Sequence, residues 1–420
     1  MMEGSRSGGV RLRQPTLTEV LLFVLLAASA FPFRFHVTAT QTASVFDAAL
    51  VGVAVILAFS RPWRNGFRLP KPYLLFAGLS LSLGLLSFLW TESAKSTVDF
   101  VISTAEGIVA FGIVILLLRG RTERFVVYAI CSWIGLFTLG SLLMYAHVPG
   151  FAPAGNLDPS SGNYISFFTR FSHPLLGRSN NIAAIFVAFV PALALWAMIR
   201  RDKVAAGFAI GTTVLLIATG SRGALIGLIV ASVAWLIIDR RARRLGRRIV
   251  FWLVGIAVVS AVVVTVNGNV RALLVDRLFS ARNVTARGSL LGDAWNAISR
   301  NPWLGVGGGA GADVHNTFVQ QFVYFGLIGG TILAAALIWT VAFWFLPKRG
   351  TPAKWIYIAA GIGIAAQVIS FLFEASLEGA LLRPLIWMTW GLLYALAQAG
   401  STKSQLDDVD DEPGRFSTRV

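Results

Sequence analysis

Apolar stretches recur along this chain at membrane-spanning length, and nothing else in it constrains the fold as strongly. Twelve are marked off by polar breaks, at 17–33, 43–60, 73–90, 100–118, 125–148, 180–199, 204–219, 223–238, 249–266, 317–346, 355–373 and 380–398. A helix crosses the bilayer core with about 20 apolar residues. The expected fold class is therefore all-α. The chain is expected to be a polytopic membrane protein of about 12 transmembrane helices, with a large outer loop carrying a short amphipathic helix. Composition agrees. Hydrophobic residues make up 56% and charged residues 13% of the 420, where a soluble domain carries about 25% charged residues. That excludes a soluble enzyme, a disordered chain and a secreted disulfide scaffold. The single cysteine, Cys131, lies inside an apolar run, which leaves no internal disulfide and no cysteine metal site.

The formal charge of +16 does not point to nucleic acid, because the basic residues sit in short clusters between the apolar runs. They report orientation instead, since cytoplasmic loops are enriched in Lys and Arg. With the N-terminus inside and twelve spans threaded, Arg61, Arg64, Arg68 and Lys71 fall in one cytoplasmic loop. So do Arg119, Arg121 and Arg124 in another, and Arg200, Arg201 and Lys203 in a third. The run Arg240–Arg248, with six Arg, falls on the same side. One helix more or fewer would move that run outside. Ala28-Ser29-Ala30 resembles a signal-peptide cleavage site, but another span follows it, so the first helix is expected to be retained.

Residues 1–398 are expected to form one transmembrane domain and 399–420 a polar cytoplasmic tail. The tail's Asp407-Asp408-Val409-Asp410-Asp411 is taken as a solvated acidic segment. Two outer segments are long, 149–179 and 267–316. In the second, Leu291, Trp295 and Ile298 recur at helical spacing, which predicts an amphipathic helix over 289–300 lying at the surface. Gly305-Val306-Gly307-Gly308-Gly309-Ala310-Gly311 lies outside any βαβ unit, so it is expected to be a flexible turn and not a dinucleotide loop. Thr219-Gly220-Ser221-Arg222-Gly223 interrupts an apolar run and predicts a tight helical hairpin. His36, His147 and His173 are isolated, with no metal spacing.

Three features share the outer side. Ser221-Arg222-Gly223 lies at the hairpin tip, Arg287 lies in the large loop, and His315-Asn316 stands just ahead of a span. A guanidinium offers a planar fork of donors suited to phosphate oxygens. A helix start capped by Asp313, Asn316 or Thr317 adds positive potential. A neutral imidazole takes a proton from a hydroxyl near neutral pH. Two arginines and a base together fit displacement of a diphosphate leaving group by a hydroxyl. Each also has a plainer reading: Arg222 bracing the hairpin at the interface, Arg287 pairing with carboxylates or headgroups, His315 as a satisfied structural histidine.

Ala286-Arg287-Gly288-Ser289-Leu290-Leu291 is followed by Asn301-Pro302-Trp303-Leu304-Gly305-Val306-Gly307, by His315-Asn316-Thr317-Phe318, and by Phe325-Gly326-Leu327-Ile328-Gly329. With Ser221-Arg222-Gly223-Ala224 and the weaker Arg178-Ser179-Asn180-Asn181-Ile182-Ala183, this series resembles the O-antigen ligase and O-antigen polymerase family of bacterial envelope proteins. Leu291 stands where an aromatic is common, and Tyr324-Phe325 where an acidic residue is common. These departures fit a polymerase or exopolysaccharide branch as well as a ligase. The resemblance implies a metal-independent, cofactor-free, inverting glycosyltransferase of the bacterial inner membrane. Both termini would be cytoplasmic and the active site periplasmic. The donor would be a polyprenyl-diphosphate-linked glycan and the acceptor a glycan, lipid or lipid core. Arg222 and Arg287 would hold the diphosphate and His315 would activate the acceptor. Ser221, Asn316, Asn181 and Arg178 would lie beside them as substrate-binding residues. The competing expectations are a twelve-span polysaccharide or lipid transporter, with discontinuous helices at mid-membrane, and a non-catalytic envelope-assembly protein.

Overall fold

The computed structural model describes residues 15–31, 34–36, 42–60, 69–146, 148, 171, 173, 176, 179–238, 255, 281–311, 314, 316–345, 355–373 and 382–410. Helices dominate. In chain order they are α1 (Leu17–Ala30), α2 (Val45–Phe59), α3 (Lys71–Leu86), α4 (Ala94–Leu118), α5 (Glu123–Tyr145), α6 (Ser179–Arg200), α7 (Lys203–Ala218) and α8 (Arg222–Ile238). After these come α9 (Ala281–Arg300), α10 (Thr317–Phe345), α11 (Trp355–Ser370) and α12 (Leu382–Asp410). A helix falls on every stretch expected to span except 249–266, which lies almost wholly outside the described residues. Among the described residues, five helices are long and apolar enough to cross a membrane: 71–89, 94–118, 123–145, 179–200 and 317–344. Shorter apolar helices accompany them at 17–30, 45–59, 203–218, 222–237 and 355–370. This is a helical membrane protein. One small ribbon, β1 (Arg34–His36) paired antiparallel with β2 (Thr42–Ser44), was not foreseen from the sequence.

Polar residues at the breaks start the helices. Asp202 accepts from the amides of Val204 and Ala205 at 3.0 and 3.1 Å and caps α7. Ser44 and Asp47 exchange hydrogen bonds across the first turn of α2. Between α7 and α8, Gly220 N–H donates to the Ile217 carbonyl, closing the expected hairpin. α6 is apolar on every side, and it is buried from Ile182 to Ala197. It forms the centre of the bundle together with α11, as an all-round apolar helix must. Gly363 lets α11 lie directly against the Ala188 carbonyl of α6, a close approach that small residues permit in membranes. Gln367 ties three inner helices: its amide donates to the Ala184 carbonyl at 2.6 Å and its carbonyl accepts from Trp390 Nε1 at 2.5 Å. Ala28-Ser29-Ala30 is also inside the bundle, with Ser29 Oγ accepting from Trp133 Nε1 of α5 at 2.7 Å. Large apolar side chains such as Phe59, Leu89 and Ile237 face outward, 74–83% exposed, as a lipid-facing surface requires.

Three expectations about extent are revised. The amphipathic helix begins at Ala281, not 289, because its first two turns are polar and carry no apolar spacing to read. α12 continues past Gly400 to Asp410, since the next breaker is Pro413-Gly414. α10, expected as one unbroken span, is two helices in series. At Gly326 the backbone takes φ 63° and ψ −168°. The groups freed there are satisfied by the chain just upstream. Leu327 N–H donates to the Pro302 carbonyl at 2.7 Å, while Val306 and Gly307 N–H donate to the Val323 and Tyr324 carbonyls at 2.9 Å. Non-helical backbone at membrane depth is stable where protein buries it in this way. The apolar run crosses the break without interruption, so periodicity alone does not reveal it.

Candidate functional site

The glycine cluster is the wedge that opens α10, and it is not a flexible turn. Gly305, Gly307, Gly309 and Gly311 all have positive φ, a conformation that side chains resist. A Cβ on Gly307 would strike Thr91 and one on Gly309 the Ser96 carbonyl. Gly308 N–H donates to Ser87 Oγ at 3.0 Å, and the Val306 carbonyl accepts from Glu92 N–H at 3.0 Å. The turn is thus seated on the joint between α3 and α4. Phe100 lies at the centre of that joint, edge-on to Tyr324 and Phe325 at 5.8 and 5.5 Å. Arg383, from the first turn of α12, covers the Phe100 ring at 4.0 Å. It donates to the Phe100 carbonyl, Ser103 Oγ and Thr104 Oγ1 at 2.8–3.0 Å. A lone arginine opening an apolar run was the signal that it is buried and bonded.

Downstream of this turn the chain reaches α10, and there two of the expected features meet. Asn316 caps α10, its Oδ1 accepting from Val319 N–H at 3.1 Å. Its Nδ2 donates to the Leu372 carbonyl at 2.9 Å, and the neighbouring Thr317 N–H donates to the Phe371 carbonyl at 2.9 Å. Gly223 packs on the next residue of the same segment, since a Cβ there would lie 2.7 Å from Phe373 Cβ. The hairpin tip and the start of α10 therefore both rest on one short piece of chain, Phe371-Leu372-Phe373. Arg222 is the first residue of α8 and is half-buried. A cation is electrostatically out of place at a helix N-terminus, where the free amides already make the potential positive. A helix N-terminus that carries an arginine is a place where an anion is favoured.

Of the remaining expected site residues, three are described with their side chains engaged by the fold. Ser221, 2% exposed, caps α8 with its Oγ 3.4 Å from Ala224 N. Asn181 Nδ2 donates to the Leu176 carbonyl at 2.8 Å and fixes the chain entering α6. Asn316 has both ends of its amide occupied, as above. All three have their polar atoms engaged in holding the local backbone. Arg287 belongs to α9, but its side chain falls outside the described residues. His315, Arg178 and Asp313 lie outside them as well. His315 is nonetheless bracketed by Val314, whose N–H donates to Gln320 Oε1 at 2.8 Å, and by Asn316.

The chain ahead of α6 closes the same end. Phe171 N–H donates to the Ala218 carbonyl at 2.9 Å, one turn from Ser221. His173 is fully buried against Gly140 and Phe137, and its Nε2 lies 2.9 Å from the Ala30 carbonyl. A carbonyl only accepts, so Nε2 carries the proton. Burial pushes the imidazole down to about 3, against the opposing effect of that hydrogen bond. The free imidazole titrates near 6.5. Below that value the unfolded chain takes up a proton that the folded one refuses, so stability is full above about pH 6.5 and falls toward pH 3. The slope is up to roughly 1.4 kcal/mol per pH unit. Thermal unfolding in detergent at pH 7.5 and 5 should show this loss, and His173→Gln should flatten it. An equal acid sensitivity in the variant would assign the effect elsewhere.

Residues 206–334 match the family model described as O-antigen ligase. That span includes Ser221, Arg222, Arg287, His315, Asn316 and the Gly326 break. Among curated proteins, the chain is 29% identical over 202 residues to an O-antigen ligase of Pseudomonas aeruginosa PAO1. The match covers 43% of this chain and 45% of that relative, so it spans just under half of each.

Proposed function

We propose, from the match of residues 206–334 to the O-antigen ligase family model, that the chain transfers a glycan from a polyprenyl-diphosphate lipid to an acceptor hydroxyl. The observation that carries the proposal is the shared seat on Phe371-Leu372-Phe373. Gly223, next to Arg222, and Asn316-Thr317, next to His315 in sequence, both pack on it. Arg222 and Arg287 hold the diphosphate, whose charge grows as the glycosidic bond breaks. Fixed donors aimed at developing charge are the strongest lever an active site has. The acceptor oxygen attacks the anomeric carbon, and the carbon–oxygen bond to the diphosphate breaks with its electron pair leaving on the phosphate oxygen. The hydroxyl proton passes to the His315 imidazole. The products are the new glycoside, with inverted anomeric configuration, and free polyprenyl diphosphate. Two guanidinium groups supply the positive charge, so the step needs no metal. Ser221, Asn181 and Asn316 act as positioning residues, since their polar atoms already serve as caps and tethers.

In the orientation set by the basic loops, this site faces the periplasm and twelve spans cross the inner membrane, with both termini inside. Trp295 of α9 and Trp303 just after it are 69% and 64% exposed. Exposed tryptophans of this kind belong at the headgroup level. The test is reconstitution in lipid with a synthetic polyprenyl-diphosphate oligosaccharide and a glycan or lipid acceptor. Release of polyprenyl diphosphate in step with glycoside formation supports the reading; transport of the intact donor without cleavage refutes it. Ladder products mark a polymerase and single transfer of whole chains a ligase.

A further inference from the structure

The opposite end of the bundle carries a second, unassigned basic site. α5 and α6 are 23 and 22 residues long, which at 1.5 Å per residue sets the two ends about 33 Å apart. Where α5 begins and α6 turns into α7 there is a cavity of about 810 Å³. Its lining includes Arg121, Arg124, Arg200, Arg201 and Lys203 against two carboxylates, Glu123 and Asp202.

Both carboxylates are already engaged by neighbours within the cavity wall. Glu123 accepts from Arg200 at 3.1 Å. Asp202 caps α7 and accepts from Tyr128 OH at 3.0 Å and Trp196 Nε1 at 3.2 Å. Arg121 is engaged by Glu19 at 2.8 Å and by the Thr16 and Thr18 hydroxyls. That leaves Arg124, whose guanidinium bonds only the neutral Tyr128 hydroxyl among the described residues, together with Arg201 and Lys203. Neither of these last two has an ion-pair partner among the described residues, and both are exposed. Arg201 adopts φ 53°, rare for a residue with a side chain, in the turn Arg200-Arg201-Asp202-Lys203, whose three basic residues flank Asp202 on its two sides. Tyr128 and Trp196 line the same cavity, side chains that favour the membrane–water interface. Exposed Val204 belongs to the lining too, and α7 continues outward with exposed Ile210 and Val214. Cationic heads over an apolar, lipid-facing flank match a lipid with an anionic headgroup.

We propose that this cavity binds the phosphate group of an anionic membrane lipid, held by Arg124, Arg201 and Lys203 with its acyl chains along α7. The site is separate from the transfer site and does not rest on that activity. Native mass spectrometry of the full chain released from nanodiscs containing phosphatidylcholine, with and without phosphatidylglycerol, reads it directly. Wild type should retain phosphatidylglycerol roughly tenfold in preference to phosphatidylcholine, given the attraction of each basic residue at a membrane surface. The double variant Arg201→Gln/Lys203→Gln should lose that preference while unfolding at the wild-type temperature in phosphatidylcholine alone. If the double variant does not fold, Arg124→Gln serves in its place and should reduce the preference several-fold. Unchanged preference in the folded variant overturns the proposal. Full displacement of the lipid by millimolar inorganic phosphate overturns its lipid part, assigning the site to a soluble phosphate.

Discussion

Arg222→Ala, Arg287→Ala and His315→Ala should each lower glycan transfer by about a hundredfold or more, with insertion and thermal stability kept. The size follows from the roles. Removing a donor fixed on a developing oxyanion costs about 10²–10³ in rate, and removing a general base about 10²–10⁴. Stability should survive for a reason visible at Arg222. It is the first residue of α8, where alanine is at least as well placed as a cation, because the helix dipole opposes positive charge there. Arg222→Lys should recover little, since a point charge does not reproduce a planar two-pronged contact with phosphate. Asn316→Ala makes the contrasting case. It removes the cap of α10 and the tether to Leu372, so it should cost about 1 kcal/mol of stability along with a partial loss of transfer. Measured in one reconstituted assay, wild-type turnover in any of the three alanine variants would remove that residue from the mechanism.

Gly326→Val should abolish folding of the region, and transfer with it. The residue sits at φ 63°, where a β-branched side chain is a severe outlier. A Cβ would also collide with the Trp303 carbonyl, which belongs to the wedge between the two halves of α10. Backbone strain and overpacking each cost about 1–3 kcal/mol, and here they coincide at one joint. Gly112→Ala is the matched control, since α4 leaves open space around it. The readout is the unfolding temperature of the detergent-purified protein: a large fall or no folded protein for Gly326→Val, no fall for Gly112→Ala. Equal stability in both would mean that α10 runs straight through residue 326.

Much of this fold was legible because lipid imposes a simple rule on sequence. Long apolar runs and basic breaks located the helices and the 219–221 hairpin without further information. The amphipathic spacing of Leu291, Trp295 and Ile298 located α9, though its polar first turns gave no periodic signal. The break in α10 was illegible for a different reason. It depends on a non-local match between the 302–307 backbone and the groups freed at 323–327, and apolar residues continue on both sides. The same holds for Arg383, whose three acceptors come from α4, some 280 residues earlier in the chain. The site residues divide along the same line. Arg222 and His315 are proposed from residue type and position alone. The structural duties of Ser221, Asn181 and Asn316 emerge only once their backbone partners are placed. The Phe371-Leu372-Phe373 seat carries no polar side chain to mark it in advance.

A photoreactive polyprenyl diphosphate tests the central claim most directly, through mapping of the peptides it labels in the lipid-embedded protein. The account predicts label at 219–224 and 314–317, lost in Arg222→Ala. Label confined to the far end, at 119–124 and 200–204, or label at the hairpin that persists without the Arg222 guanidinium, would contradict it.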